Sequence, residues 1–377
     1  MSSTLTSKRA LLGLSEAELA DALRPLTLQP YRARQILRWL VDRRAAAFSE
    51  MTDLPARLRE QLSESFEVGL PRIVARTPAE DRSEKFLFEL DDGAKVEAVY
   101  IVARAADVEA RVTVCLSSQA GCAVDCLFCV TGRMGAGRNL TAGEIAGQYL
   151  AIARARGIRP HQANVVFMGM GEPLLNVPNV LGALDLLERD VSMYRVTVST
   201  SGIVPGIERL AERERRPNLA ISLCAPDDET RTRLMPINRT YPIADLFRAL
   251  ARWPLEKGRR LTFEYVLIAG INDSEETARK LVALVRRLPC KVNLIPLNES
   301  AEWLPGLKRP SEDVVDAFGR VVAKGGVPVT VRWSKGLGAN AACGQLKGRE
   351  TPRRASGRRD HSRDELSRQR RRPVDEA

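Results

Sequence analysis

At 377 residues, 44% hydrophobic and 28% charged, the chain is long enough for one large domain plus a smaller one. No apolar run approaches the roughly 20 residues of a membrane span, and Met1–Ala10 lacks the apolar core of a secretory signal, so a cytoplasmic location without a membrane partner is expected. Lys and Arg number 58 against 47 Asp and Glu, a formal +11 that favours a polyanionic partner, and the two histidines, His161 and His361, are too few for zinc-finger, HExxH or Ser–His–Asp chemistry.

In chain order, residues 1–75 read as a small helical domain. Ser15, with Glu18 three positions on, caps an amphipathic run to Leu23. Tyr31–Val41 carries an apolar stripe of Ile36, Leu37, Leu40 and Val41, and it is rich in Arg at 32, 34 and 38, with 43 and 44 just beyond. That basic face suits RNA phosphates; a solvated surface is the alternative. Residues 76–110 read as a β extension, with Lys85–Leu90 and Lys95–Val102 joined at Asp91-Asp92-Gly93 as a hairpin.

From 111 to 348 short apolar strands alternate with helical segments. The strands are Val112–Leu116, Ala163–Met168, Arg195–Ser199, Leu219–Leu223, Leu261–Ile268, Lys291–Pro296 and Pro328–Trp333. Between them lie helical patterns at Ala142–Ala155, Val180–Arg189, Ile243–Trp253, Glu275–Leu288 and Glu312–Lys324. Such alternation means an α/β fold with a parallel sheet, open or curled into a full or partial barrel. Residues 349–377 are polar and aperiodic, which predicts a basic disordered tail; its ten Arg against six acidic residues hold about four of the eleven excess charges.

Seven cysteines, an odd number without an export signal, argue against a disulfide framework and for ligand or redox roles. Cys122, Cys126 and Cys129 fall within eight residues after the first strand of the alternating region. Thiolates suit zinc or iron–sulfur clusters, but no fourth ligand completes a structural zinc site. Three ligands on a four-iron cluster leave one iron open to a small molecule. Cys290, at a helix end before a strand, reads as a packed thiol and His161 as structural. In (β/α) barrels the reactive face lies at the carboxyl ends of the strands. The three cysteines, Gly169–Glu172, Ser199, Ser222 and Asn298 all follow strands drawn from periodicity alone. Gly169 and Gly171 would let a ligand approach the backbone, and Glu172 offers a carboxylate to an amine.

The CxxxCxxC run after a strand resembles the radical-SAM superfamily. Ser117-Ser118-Gln119-Ala120-Gly121-Cys122, Arg138-Asn139-Leu140-Thr141, Met168–Leu174, Ser199–Gly202 and Ala341-Ala342-Cys343-Gly344-Gln345-Leu346 resemble the RlmN/Cfr family of RNA adenosine methyltransferases, from about residue 11 to 348. The resemblance implies a radical-SAM partial (β/α) barrel with one [4Fe–4S] cluster on Cys122, Cys126 and Cys129. It implies S-adenosylmethionine bound by Gly171, Glu172, Ser199, Ser222, Leu223, Cys224 and Asn298, with a reducing donor such as flavodoxin. The partners implied are 23S rRNA and tRNA.

The family's target, C2 of adenine, is electron-poor and will not displace methyl from a sulfonium, so a radical route is needed. Resemblance makes Cys343 the methyl carrier, Cys115 the thiol that resolves the crosslink through a transient disulfide, and Glu97 the proton acceptor; an exposed strand carboxylate is the plainer reading of Glu97. Three places depart from the family: Cys224 where His is usual, residues 335–340, and Ala136 in place of an aromatic. Three other readings compete with C2 methylation. C8 methylation of the same ribosomal adenosine shares the cluster and both cysteines. A small-molecule radical-SAM enzyme would need neither the basic helices nor Cys343. A non-catalytic iron–sulfur RNA-binding module would leave Glu172, Cys115 and Cys343 without a task.

Overall fold

The computed structural model of the chain describes residues 8–26, 29, 31–102, 111–333 and 344–346. Strand β1 (Arg9–Ala10) leads into α1 (Glu16–Leu23), whose start is set by the expected capping box: Ser15 Oγ accepts from the Glu18 N–H and the Glu18 carboxylate accepts from the Ser15 N–H. Helices α2 (Tyr31–Val41) and α3 (Ala56–Ser65) follow, and β2 (Phe66–Glu67) returns to pair in parallel with β1. The α2 stripe of Ile36, Leu37, Leu40 and Val41 is buried as its spacing predicts.

The β extension contains the expected hairpin and adds one strand to it. Its first strand, β3 (Arg72–Pro78), starts inside the segment read as helical, and pairs antiparallel with β4 (Glu84–Glu89), which pairs antiparallel with β5 (Lys95–Val102). The exposed, mixed sequence of β3 carries no clean alternation; its conformation comes from the ladder to β4. Strand β5 then pairs with β6 (Val112–Cys115), tying the extension into the main sheet.

From β6 onward the strands run parallel: β7 (Ala163–Phe167), β8 (Val196–Thr200), β9 (Asn218–Ser222), β10 (Leu261–Leu267), β11 (Cys290–Pro296) and β12 (Val329–Val331). The ten strands β3–β12 stand side by side in chain order, with β3 and β12 as free edges, so the barrel is partial. Order in space that follows order in sequence is what repeated same-handed crossovers produce. The crossover segments hold α4 (Val130–Arg133), α5 (Ala142–Arg156), α6 (Val177–Leu187), α7 (Val204–Ala211), α8 (Asp228–Leu234), α9 (Ile243–Ala251), α10 (Glu275–Val285) and α11 (Glu312–Lys324). Short, polar α8 and short α7, whose first turn holds Pro205 and Gly206, were not foreseen. Cys290 opens β11 rather than ending a helix, and its buried Sγ donates to the Val285 carbonyl at 3.3 Å.

The parallel strands have two unlike faces. Val165, Val198, Ile221, Phe263, Tyr265, Val292 and Leu294 are fully buried on the helix side, each such side chain worth about 1.5–3 kcal/mol of transfer free energy. Alternate residues turn inward. Registers Cys115↔Val166↔Thr197, Ser199↔Ala220↔Thr262 and Ser222↔Glu264↔Asn293↔Thr330 give the barrel a largely polar interior.

The N-terminal helices are clamped to this barrel. Gly13, at φ +104°, lies so close to α5 that a Cβ there would come within 2.6 Å of the Gly143 nitrogen. Arg44 donates to Asp190 and to the Ile158 carbonyl, both at 2.5 Å, and Tyr149 donates to the same Asp190 carboxylate at 2.9 Å. Arg189 grips Asp42 with two 2.8 Å bonds. Among the described residues no helix is long and apolar enough to cross a membrane.

Candidate active site

The cysteine loop leaves the carboxyl end of β6, and neighbouring side chains fix its path. Gln148 on α5 holds Ser117 in both directions, accepting from its N–H and donating to its carbonyl at 3.0 Å each. Ser117 Oγ donates to the Glu97 carbonyl at 2.5 Å and accepts from the Met170 N–H at 2.8 Å. Buried Asn176 donates to the carbonyls of Ser118 and Leu140, closing the far side of the loop. The Ser117-Ser118-Gln119 run is therefore a framework joining β5, β6 and the turn after β7.

Cys122, Cys126 and Cys129 all line one cavity open to solvent, with Glu172, Ser199, Ser222 and Asn298 elsewhere in its wall. Burial pushes the Cys122 thiol up to about 12 and also raises Cys126 well above the ordinary thiol value, so each must surrender a proton to become a ligand. Among the described residues no three metal-ligating side chains converge on a point that one ion could fill. Three cysteine sulfurs spread along one loop at the cavity wall instead fit a cluster whose thiolates bind separate iron atoms.

Glu172 is buried, which raises its pKa, against the pull of backbone donors. Its oxygens accept from the Ser201 N–H at 2.6 Å and the Leu174 N–H at 2.9 Å. The two glycines beside it have a different reason from the one expected. A Cβ at Gly169 would meet the Leu116 carbonyl oxygen at 2.6 Å, and one at Gly171, whose φ is +98°, would meet Gln119 Cβ at 2.5 Å. They are small because the 116–119 segment packs on them, although both also line the cavity.

Leu223 and Cys224 are fully buried and do not line the cavity. Cys224 packs with Val130, Leu234, Met235, Ile268 and Leu297, and burial pushes its thiol up to about 12. Its positive φ of 59° comes with a 2.7 Å bond from Asn272 to its carbonyl. Asn298 is buried in the wall and accepts from Arg309 at 3.2 Å.

Glu97 is 1% exposed rather than a surface carboxylate, and pairs with Lys85 at 3.1 Å. The registers Val99↔Cys115, Lys85↔Val99 and Leu87↔Glu97 put Lys85, Glu97 and Cys115 on one face of the sheet, the face that turns inward on the parallel strands. Cys343 and residues 335–340 lie outside the described residues. The chain is described again from Gly344, whose carbonyl accepts from the Val130 N–H at 2.8 Å, while the Leu346 carbonyl accepts from Thr131 Oγ1 at 2.7 Å. Gly344 and Leu346 both line the cavity.

Sequence reasoning missed two residues here. Arg231 on α8 is fully buried and donates to the carbonyls of Ser201, Ser222 and Leu223 and to Asn238. Glu264, in the middle of β10, faces the cavity. A lone carboxylate in an apolar strand was the available signal for Glu264; nothing local marked Arg231. The expected basic face of α2 is partly committed, since Arg34 pairs with Glu16 at 3.0 Å and Arg44 belongs to the domain clamp.

Residues 116–282 match the model of the radical SAM superfamily, and residues 9–68 that of the ribosomal RNA large subunit methyltransferase N-terminal domain. The crystal structure of a radical SAM methyltransferase from Sphaerobacter thermophilus superposes with a TM-score of 0.83 at 43% identity, covering 90% of this chain and 99% of that one. Fold and site together define a radical-SAM methyltransferase, a class that works with a [4Fe–4S] cluster and S-adenosylmethionine. The chain is 45% identical over 349 residues to the dual-specificity RNA methyltransferase RlmN of Geobacter sulfurreducens, covering 92% of this chain and 94% of that one. It is 47% identical over 321 residues to a probable dual-specificity RNA methyltransferase RlmN of Thermus thermophilus, covering 84% and 88%. The chain belongs to the RlmN family of RNA methyltransferases.

Proposed function

We propose that this chain methylates C2 of an adenosine in 23S rRNA and adenosine 37 of tRNAs, in the cytoplasm, with a flavodoxin-like protein as electron donor. Cys122, Cys126 and Cys129 would hold the cluster, and Gly171, Glu172, Ser199, Ser222 and Asn298 the cofactor. Leu223 and Cys224 would act from behind the cavity wall by shaping its backbone. The N-terminal helices would carry RNA to the barrel mouth. The observation that supports the reading is that Cys115 and buried Glu97 lie on the inward face of the sheet, while Gly344, at the end of the Cys343 motif, lines the cavity with the three cysteines.

When bound and reduced, the cluster supplies the electron that cleaves S-adenosylmethionine and so the radical that takes hydrogen from a methyl group on Cys343. The protein's own residues do the rest. Cys343 would present its methylene carbon to the electron-poor C2, and the extra electron of the adduct would return to the oxidised cluster that Cys122, Cys126 and Cys129 would hold. Glu97 accepts the C2 proton, and Lys85 holds that carboxylate in place. Cys115 then forms an S–S bond with Cys343 as the bond from sulfur to the methylene breaks; the electron pair stays on carbon, which takes a proton to become methyl. A resolving thiol must be shielded from solvent, as a buried cysteine on the barrel's inner face is.

The test is Cys115→Ala, purified without oxygen. It should retain about four irons and carry RNA covalently attached through Cys343, whereas Cys343→Ala should carry none and Cys126→Ala should lose the iron. Release of methylated RNA by Cys115→Ala would refute the assignment.

A further inference from the structure

Glu264 is 5% exposed and lines the cavity, and its two carboxylate oxygens are treated differently. Oε1 accepts from Asn293 Nδ2 at 3.0 Å, and Asn293 Oδ1 accepts from Thr330 Oγ1 at 2.5 Å, so a ladder across β10, β11 and β12 holds the carboxyl in one orientation. Oε2 is buried and has no hydrogen-bond partner among the described residues. Burial raises the pKa of the group and the nearby Arg332 charge lowers it. A buried acceptor left unmade is costly, an arrangement that persists where a ligand supplies the donor.

The surroundings define that ligand. Glu264 stands beside Ser222 in the β9–β10 register, about 5 Å away across the sheet. Two residues nearer the strand ends the inner face becomes apolar, with Val266, Ile295 and Leu297 in the cavity wall. An apolar wall beside one oriented carboxyl and a serine hydroxyl suits a nucleoside: the purine lies against the aliphatic residues and the sugar hydroxyls reach the acid, the role acidic residues play toward ribose in dinucleotide sites. Glu264 sits below the rim within the strand, a depth that favours a small free nucleoside over one still attached to a polynucleotide.

We infer that Glu264 is a further cofactor-binding residue, accepting a hydrogen bond through Oε2 from a ribose hydroxyl of S-adenosylmethionine. This rests on reading the cavity as the cofactor site. The ladder through Asn293 and Thr330 positions the acceptor before binding.

The experiment measures equilibrium binding of S-adenosylmethionine to the reconstituted full chain without reductant, so that no turnover occurs. Glu264→Leu should bind about tenfold to a hundredfold more weakly, the range for a lost bond to a charged group, with the iron content unchanged. Glu264→Gln, which keeps the bond from Asn293 and loses the free acceptor, should fold normally and also bind more weakly. Analogues lacking a ribose 2′- or 3′-hydroxyl complete the cycle: one of them should lose affinity for the wild type by a similar factor and be bound equally by wild type and Glu264→Leu. Wild-type affinity in both variants would overturn the inference while leaving the cavity reading intact. Weakened RNA binding with unchanged cofactor binding would also overturn it, placing the acid against the RNA nucleoside. Failure of the wild type to bind the cofactor would overturn the cavity reading and this inference together.

Discussion

Arg231→Met should weaken the fold and the cofactor site together. Arg231 is the largest fully buried side chain, and its guanidinium donates to the Ser201 carbonyl at 2.6 Å and Asn238 Oδ1 at 2.7 Å, with longer bonds of 3.2 Å to Leu223 and 3.4 Å to Ser222. A bond from a charged donor contributes about 1.5–3 kcal/mol, so the two short ones together contribute about 3–6 kcal/mol. Methionine fills a similar volume and removes a buried charge, whose desolvation already pulls the Arg231 pKa down and offsets part of that gain. The net loss expected is about 2–3 kcal/mol, since four acceptors lose their donor in a dry site. With a urea dependence of about 3 kcal/mol per molar, the midpoint for the cluster-free chain should fall by roughly 0.7–1 M, read by circular dichroism. Because Ser201 and Ser222 line the cavity, affinity for S-adenosylmethionine should fall in the same variant. Arg231→Lys should rescue neither, because one ammonium cannot span the same acceptors. Unchanged unfolding in Arg231→Met, with unchanged cofactor affinity, would refute this account of α8.

Charge reversal at Arg32 and Arg38 should weaken RNA binding and lower its salt slope by about one for each lost phosphate contact, whereas Arg34→Ala should do less because Glu16 already holds that guanidinium; an anisotropy titration across a salt series separates the two. Burial raises the Glu264 pKa, so from the unfolded value of about 4.3 up to the raised folded value the native state holds a proton that the unfolded chain has released. Stability contributed at this position is therefore highest below that window and falls as pH rises through it. The unfolding free energy of the wild type minus that of Glu264→Leu should decline as pH rises above the unfolded value, by at most about 1.4 kcal/mol per unit; a flat difference would contradict the raised pKa.

Much of the molecule was legible because its signals are local. Three cysteines within eight residues are brought together by the loop itself, and the parallel strands announce themselves because helices bury one whole face of each. The Ser15 and Thr141 helix starts are likewise set by side chains three residues away. The packing role of Gly169 and Gly171 was not legible for the opposite reason: which surface their missing Cβ would strike depends on a segment fifty residues earlier.

Tertiary structure alone decided the rest. Nothing in Asp228–Leu234 separates Arg231 from an ordinary exposed helical arginine; it is buried because the ends of β8 and β9 present three carbonyls to one point beneath α8. Arg34 and Arg44, alike in sequence, end respectively on a surface Glu and in a half-dry clamp to Asp190. Glu97 changed from a candidate surface carboxylate to a buried one because β5 is covered on both faces, and Glu264 became a wall residue because its parity along β10 points it inward. Sequence by itself determines the spacing of groups along the chain and the period of their burial. Whether a charged side chain meets water, a partner or a ligand is settled by which distant segments pack over it, since the cost of burying charge is set by the whole surrounding volume and not by the nearest neighbours in sequence.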